Sequence, residues 1–260
     1  MLMRIFRVLQ ILSIDIVLGA VILFHFFCSF YGSTPTVEIY IILGVTVWLI
    51  YTIDHLRDAT RAPKSTRVRY QFHLKHQKAL HIVVSAAFVL IASLLFFLDT
   101  RILIGGITLA LLSGFYLVVQ GALAKRGLKE LYVAFIYTSG ILLTPFLLAE
   151  TFSFVIFSLL FLLTYCNLIL FSWFERGDDL ADRFVSIATI AGSRKVEALI
   201  LIFLALGISV ALLRSIDAIS SYFITAFVCY SLLLIGARNL KYRNLYRVIG
   251  DGVFLLPVLF

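Results

Sequence analysis

Between Phe152 and Phe174 the chain runs through FSFVIFSLLFLLTYCNLILFSWF without one charged residue. About 20 apolar residues cover the roughly 30 Å hydrocarbon core of a bilayer as a helix, and a helix apolar on every side needs lipid or a bundle around it. Stretches of the same kind recur along the 260 residues and predict helices over 8–30, 37–54, 79–98, 102–123, 131–149, 152–174, 196–213, 218–237 and 245–260. The expected fold is all-α: a polytopic membrane helix bundle of about nine transmembrane helices, forming a single domain over 1–260. Composition agrees, since 62% of residues are hydrophobic and only 14% charged, where soluble domains carry about a quarter. A mean hydropathy of +1.06 points the same way. A free cytosolic enzyme, a disordered chain and a disulfide scaffold are excluded. Cys28, Cys166 and Cys229 lie far apart in apolar runs and read as small core residues. The N-terminal MLMRIFRVLQ lacks the small-residue cleavage pattern of a signal peptide and is read as leading into a retained first span.

The net charge of +8 has a topological reading, not a nucleic-acid one. With nine spans, 20 of the 22 Lys and Arg fall on one side, and only Arg101 and Arg214 on the other. Because short cytoplasmic loops retain positive residues, the N-terminus is expected in the cytoplasm and the C-terminus across the membrane, with a bacterial inner membrane as the location.

Two acidic groups sit at the expected cytoplasmic ends of the second and sixth spans. The first is Asp54-His55-Leu56-Arg57-Asp58, the second Glu175-Arg176-Gly177-Asp178-Asp179-Leu180-Ala181-Asp182. An i, i+4 spacing puts Asp54 with Asp58, and Asp178 with Asp182, on one helical face, close enough to share a metal ion. Oxygen ligands suit magnesium better than zinc. The plainer reading has these acids solvated at the interface or paired with Arg57, Arg176 and Arg183. A metal clamp beside Lys and Arg is what a diphosphate leaving group needs, and apolar helices around it would solvate a hydrocarbon chain. The pattern points to a lipid diphosphate.

At these residues the sequence resembles the UbiA superfamily of intramembrane prenyltransferases. Asp178-x-x-x-Asp182-Arg183-x-x-Ser186-x-x-Thr189 is similar to the family's DxxxDRxxGxxT, with Ser186 where glycine is usual. Asp54-x-x-x-Asp58, trailed by Lys64 and Arg67, resembles the latter half of NDxxDxxxD and its following K..R, whose leading Asn and Asp fall on Ile50 and Tyr51. Lys125-Arg126-Gly127-Leu128-Lys129-Glu130-Leu131 resembles the family's basic turn and the GLGE-like run of its menaquinone-type branch. The resemblance implies a nine-helix fold and magnesium (Mg2+) held by Asp54, Asp58, Asp178 and Asp182, which would be the catalytic carboxylates. It implies diphosphate contacts from Lys64, Arg67, Lys125 and Arg126, with Asp179 and Glu175 supporting the metal ligands. The activity implied is transfer of an isoprenyl group from a prenyl diphosphate to an aromatic or lipid acceptor.

Asp15 in the first span and Asn167 in the sixth are intramembrane polar groups that could line the acceptor pocket or simply bond between helices. Tyr116, Tyr137, Tyr165 and Trp173 could shield a carbocation. His73-x-x-His76 with His81 is read as part of a solvated basic helix, since no further ligand stands at a metal-binding spacing. Two other classes stay open. One is a non-catalytic relative that binds a lipid diphosphate or a partner, suggested by Ile50 and Tyr51. The other is an ion-coupled transporter, suggested by Asp15 and Asp251.

Overall fold

The computed structural model describes residues 8–214, 217–237 and 245–260. Among them there is no strand. The helices are α1 (Ile14–Phe30), α2 (Val37–Arg61), α3 (Val68–Lys75), α4 (Gln77–Leu94), α5 (Thr100–Lys125), α6 (Lys129–Leu148), α7 (Phe154–Ala181), α8 (Ile187–Ala191), α9 (Ser193–Leu212), α10 (Ala218–Ile235) and α11 (Leu245–Gly252). A 3-10 turn at Leu95–Phe97 extends α4, and a 3-10 segment, Val253–Leu259, follows α11. Among the described residues seven helices are long and apolar enough to cross a bilayer: α2, α4 with its extension, α5, α6, α7, α9 and α10. The chain is thus a multi-pass membrane helix bundle. The first expected span is broken by a turn at Leu12 and Ser13, with residues 8–11 helical before it and α1 covering 17 residues after it, and the stretch over 245–260 is an eight-residue helix continued by the 3-10 segment around Pro257. Arg4, Arg7, Arg238, Lys241 and Arg243, which entered the charge asymmetry, lie outside the described residues.

Two helices run further than hydropathy alone predicts. α2 continues past residue 54 to Arg61 and stops at Ala62, where Pro63 disfavours helical geometry in the residue before it. α7 continues past Phe174 to Ala181, and the chain then turns at Arg183, whose φ is +58°. Both acidic groups therefore ride on rigid helical extensions beyond their apolar runs.

α7 is the central helix, packing against α6, α8, α9, α10 and α11. Its Leu160, Leu163, Cys166 and Ile169 are fully buried. α1 packs on α2, α6 and the C-terminal 3-10 segment, an approach that needs Gly19, because a Cβ there would lie 2.9 Å from Phe254 Cβ. α4 and α5 instead turn Ile82, Val89, Phe96, Leu111 and Val118 outward, the surface of helices that face lipid. One end of the bundle collects the C-terminal ends of α2 and α7, the N-terminal end of α6, and α3 and α11. At the other end Arg101 pairs with Glu150 at 3.1 Å and Ser33 Oγ donates to the Pro145 carbonyl at 3.5 Å.

Candidate functional site

On the last turns of α7, Glu175, Asp179 and Asp182 follow one another at i, i+4 and i+7, one stripe of a helix. Glu175 and Asp179 are buried, whereas Asp178, one position round the helix, is exposed and its side chain has no ion pair or hydrogen bond among the described residues. The stripe meets Arg67, which arrives from the connection between α2 and α3. Its Nη2 lies 2.6 Å from Asp179 Oδ1, its Nε 3.1 Å from Asp182 Oδ2, and its Nη1 3.6 Å from Glu175 Oε2. The Nε contact is an ion pair without hydrogen-bond alignment. Ser65 Oγ also donates to Asp182 Oδ2, at 2.8 Å. On the inner side Glu175 Oε1 accepts from Tyr246 Oη at 3.1 Å and pairs with Arg247.

Tyr70 joins the two acidic groups. Its hydroxyl accepts from Arg67 Nη1 and donates to Asp58 Oδ2, both at 3.3 Å. Burial pushes that hydroxyl up to about 12, so it keeps the proton it donates. The Arg67 guanidinium also lies over the Tyr70 ring, 5.4 Å from its centroid, and 6.0 Å from that of Phe184. Asp58 thereby reaches Asp179 through one tyrosine and one arginine, and the ends of α2 and α7 form one polar centre. Asp54 stands one turn before Asp58 with Oδ1 buried and unpartnered. The charges of Asp54 and Asp58 act on Lys129, at the start of α6.

The other proposed contacts are placed differently. Lys64, Lys125 and Arg126 are exposed at this end, and their side chains make no ion pair or hydrogen bond among the described residues. Asp15 has a buried, unpartnered Oδ1 and lies in the field of Arg247 and Arg69. Asn167 is an interhelical bond: its Nδ2 donates to Tyr230 Oη at 2.9 Å and to the Gly250 carbonyl at 3.0 Å, tying α7 to α10 and α11. It also borders a cavity of about 20 Å³ lined as well by Tyr51, Tyr137, Thr164 and Asp251. That space fits one water and no aromatic acceptor. Trp173 Nε1 and Tyr137 Oη are buried without partners, Tyr116 stacks on Tyr132 at 5.7 Å, and Tyr165 packs on Phe203 at 5.4 Å.

α3 is not a solvated helix. Tyr70 and His73 are 3% and 1% exposed, so this face packs inward. His73 Nδ1 bonds to the Arg69 carbonyl at 2.8 Å, and its ring centre lies 5.2 Å from that of His55. Burial lowers the His73 pKa, opposed by the Arg69 carbonyl and reinforced by the Arg69 charge, so the ring is neutral near pH 7.

Magnesium needs several oxygens converging on one point at about 2.0–2.1 Å. Among the described residues no three His, Cys, Asp or Glu side chains converge on a metal position. Glu175, Asp179 and Asp182 already surround the Arg67 guanidinium, and Asp58 accepts from the Tyr70 hydroxyl. As arranged, the donor set does not fit a divalent ion. The motif's Ser186-x-x-Thr189 instead starts α8, where the Ser186 amide donates to Thr189 Oγ1 at 2.9 Å. Compared with known proteins, the chain matches no family model, no curated protein and no solved structure.

Ser65, Tyr70, Lys129, Tyr246 and Arg247 are site residues that sequence reasoning missed. The i, i+3 pair Tyr70 and His73 amid basic residues was a legible sign of a buried face. Tyr246 and Arg247 meet Glu175 only through the tertiary fold.

Proposed function

We propose that this protein is a UbiA-type membrane protein of nine spans whose polar centre receives a prenyl diphosphate, and that it transfers the prenyl group to an aromatic or lipid acceptor. The observation that supports this reading is the Asp58–Tyr70–Arg67–Asp179 connection, which unites the two acidic groups of the resemblance at one end of the bundle. Exposed Lys64, Lys125 and Arg126 at that end are free to meet phosphate oxygens, while the apolar helices suit the hydrocarbon chain. In the transfer, the allylic carbon–oxygen bond breaks, the diphosphate leaves with the electron pair, and an electron-rich acceptor forms the new bond to carbon. An aromatic carbon attacked in this way then releases its proton. Magnesium remains part of the resemblance, but Glu175, Asp179 and Asp182 as arranged surround an arginine, so the transfer is described without it.

A second reading, a non-catalytic binder of lipid diphosphate, is favoured by one specific feature: an arginine stands where the family resemblance expects a metal. Turnover separates the two. Purified protein given an allylic diphosphate and candidate acceptors releases pyrophosphate if it is a transferase; saturable binding without release supports the binder. The reading also holds the N-terminus in the cytoplasm of a bacterial inner membrane. A phosphatase fused after Lys75 should then be inactive, and activity there would reverse the topology.

A further inference from the structure

We infer that Arg67 is the resident counter-cation of the α7 carboxylates and keeps divalent metal off them in the unliganded protein. The inference goes beyond the proposed function and does not need it to hold, because it concerns only what these side chains do with no substrate present.

Three nitrogens of one guanidinium each face a different carboxylate: Nη2 faces Asp179, Nε faces Asp182 and Nη1 faces Glu175. The Arg67 side chain is 14% exposed and the carboxylates 10–11%, so bulk water screens these pairs little. The planar, permanently charged fork of arginine suits several carboxylates at once, as a lysine ammonium does not. Its position is fixed independently of the acids, since Tyr70 Oη accepts from Nη1 and the rings of Tyr70 and Phe184 lie beside the guanidinium carbon. Arg67 is also backbone-anchored: its amide donates to Ser65 Oγ at 3.3 Å, and the same Ser65 hydroxyl donates to Asp182. Arg247 supplies a second cation to Glu175 from the opposite side.

A magnesium ion needs oxygens at about 2.0–2.1 Å in near-octahedral array and gives up its own water reluctantly. To use Glu175, Asp179 and Asp182 it would have to occupy the space of the guanidinium, and the expelled arginine would lose all three partners. A metal alone offers nothing in exchange for that buried charge. Removing the guanidinium while keeping the chain folded leaves a stripe of three carboxylates with no cation between them, which is a set of ligands for a hard divalent ion.

The test is manganese binding followed by electron paramagnetic resonance on the full chain in detergent, with no phosphate or diphosphate present. Wild-type protein should show no saturable Mn2+ site up to about 1 mM, and Arg67→Gln should bind Mn2+ at least about tenfold more tightly, a gain lost again in Arg67→Gln/Asp179→Asn. Tight Mn2+ binding by the wild type that Asp179→Asn abolishes would overturn the inference, as would a folded Arg67→Gln protein with no gain. If Arg67→Gln does not fold, thermal unfolding of the wild type decides. Equal midpoints in magnesium and in chelator support the inference, and a rise of several degrees in magnesium that Asp179→Asn removes overturns it. Prenyl transfer can fail or succeed without changing any of these results.

Discussion

Arg67 Nη2 lies 2.6 Å from Asp179 Oδ1, and this contact locks the connection after α2 to the end of the central helix α7. Removing the guanidinium leaves Asp179, Asp182 and, from one side, Glu175 without a counter-charge in a largely buried place. Breaking one partner of such a buried ion pair costs about 3–5 kcal/mol, more than the pair itself contributes. Arg67→Ala is expected to lower stability by that amount in denaturant unfolding from detergent micelles, and a loss below about 1 kcal/mol would mean the network is solvated. Tyr70→Phe removes the link to Asp58 while leaving the ring, and is expected to cost about 1–3 kcal/mol, the penalty for a buried acceptor left without its donor. The Tyr70→Phe and Asp58→Asn effects should not add, which a double-mutant cycle reads directly.

How much of this was visible in sequence depends on the length scale of each interaction. The bundle was legible because membrane helices announce themselves by length and apolarity, as the stretch 152–174 does. The acidic groups were legible because the members of each lie within eight residues of one another at the end of one helix. The inward register was not. A spacing of i, i+4 is met equally by Asp178 with Asp182 and by Glu175 with Asp179, and only the packing of α7 selects the latter pair for burial. Arg67 was found through its place after the first acidic group, whereas its role as a cation held by carboxylates depends on residues more than a hundred positions away. Among the described residues seven helices meet the length requirement of a span; a turn at Leu12 and Ser13 cuts α1 to 17 residues, and the C-terminal α-helix covers only eight residues before a 3-10 segment takes over.

His73 makes stability depend on pH. Burial holds its folded-state pKa below the ordinary 6.5, so below that value the unfolded chain takes up a proton that the folded chain does not. The stabilisation from keeping the ring neutral is complete above about pH 6.5 and declines as the pH falls from there through the folded pKa. Unfolding midpoints measured from pH 7.5 to 5 should fall on the acid side, and His73→Gln should flatten that slope. An unchanged slope in the variant would assign the acid sensitivity to other groups.

Helix packing in the lipid-embedded half rests on small residues at particular crossings. At Gly207 of α9 a Cβ would lie 2.3 Å from Phe227 Cζ of α10, and two further atoms of that ring fall within 2.7 Å. Gly207→Ala is expected to force the ring or the helices apart at a cost of about 1–3 kcal/mol. Gly114→Ala on α5, where no atom lies within 4 Å of the added carbon, should be neutral or slightly stabilising. Thermal unfolding of the two variants side by side tests the α9–α10 contact, and equal midpoints would contradict it.

The resemblance assigns Asp178 and Asp182 to the chemistry, whereas the buried stripe is Glu175, Asp179 and Asp182, with Asp178 facing outward. If an allylic diphosphate is turned over in the polar centre, the charge that develops on the leaving group is met there, and a side chain outside it contributes little. Asp179→Asn should then lower pyrophosphate release by roughly 100-fold or more, the scale of losing one preorganised electrostatic group, while Asp178→Asn changes it by less than about tenfold. Because Asp179 also holds Arg67, the comparison requires that both variants retain wild-type unfolding midpoints within a few degrees, or that rates be taken well below the midpoint. The opposite order, with Asp178→Asn inactive and Asp179→Asn active, would show that the end of α7 rotates by one residue when substrate binds and that the carboxylates on arginine are released for another ligand.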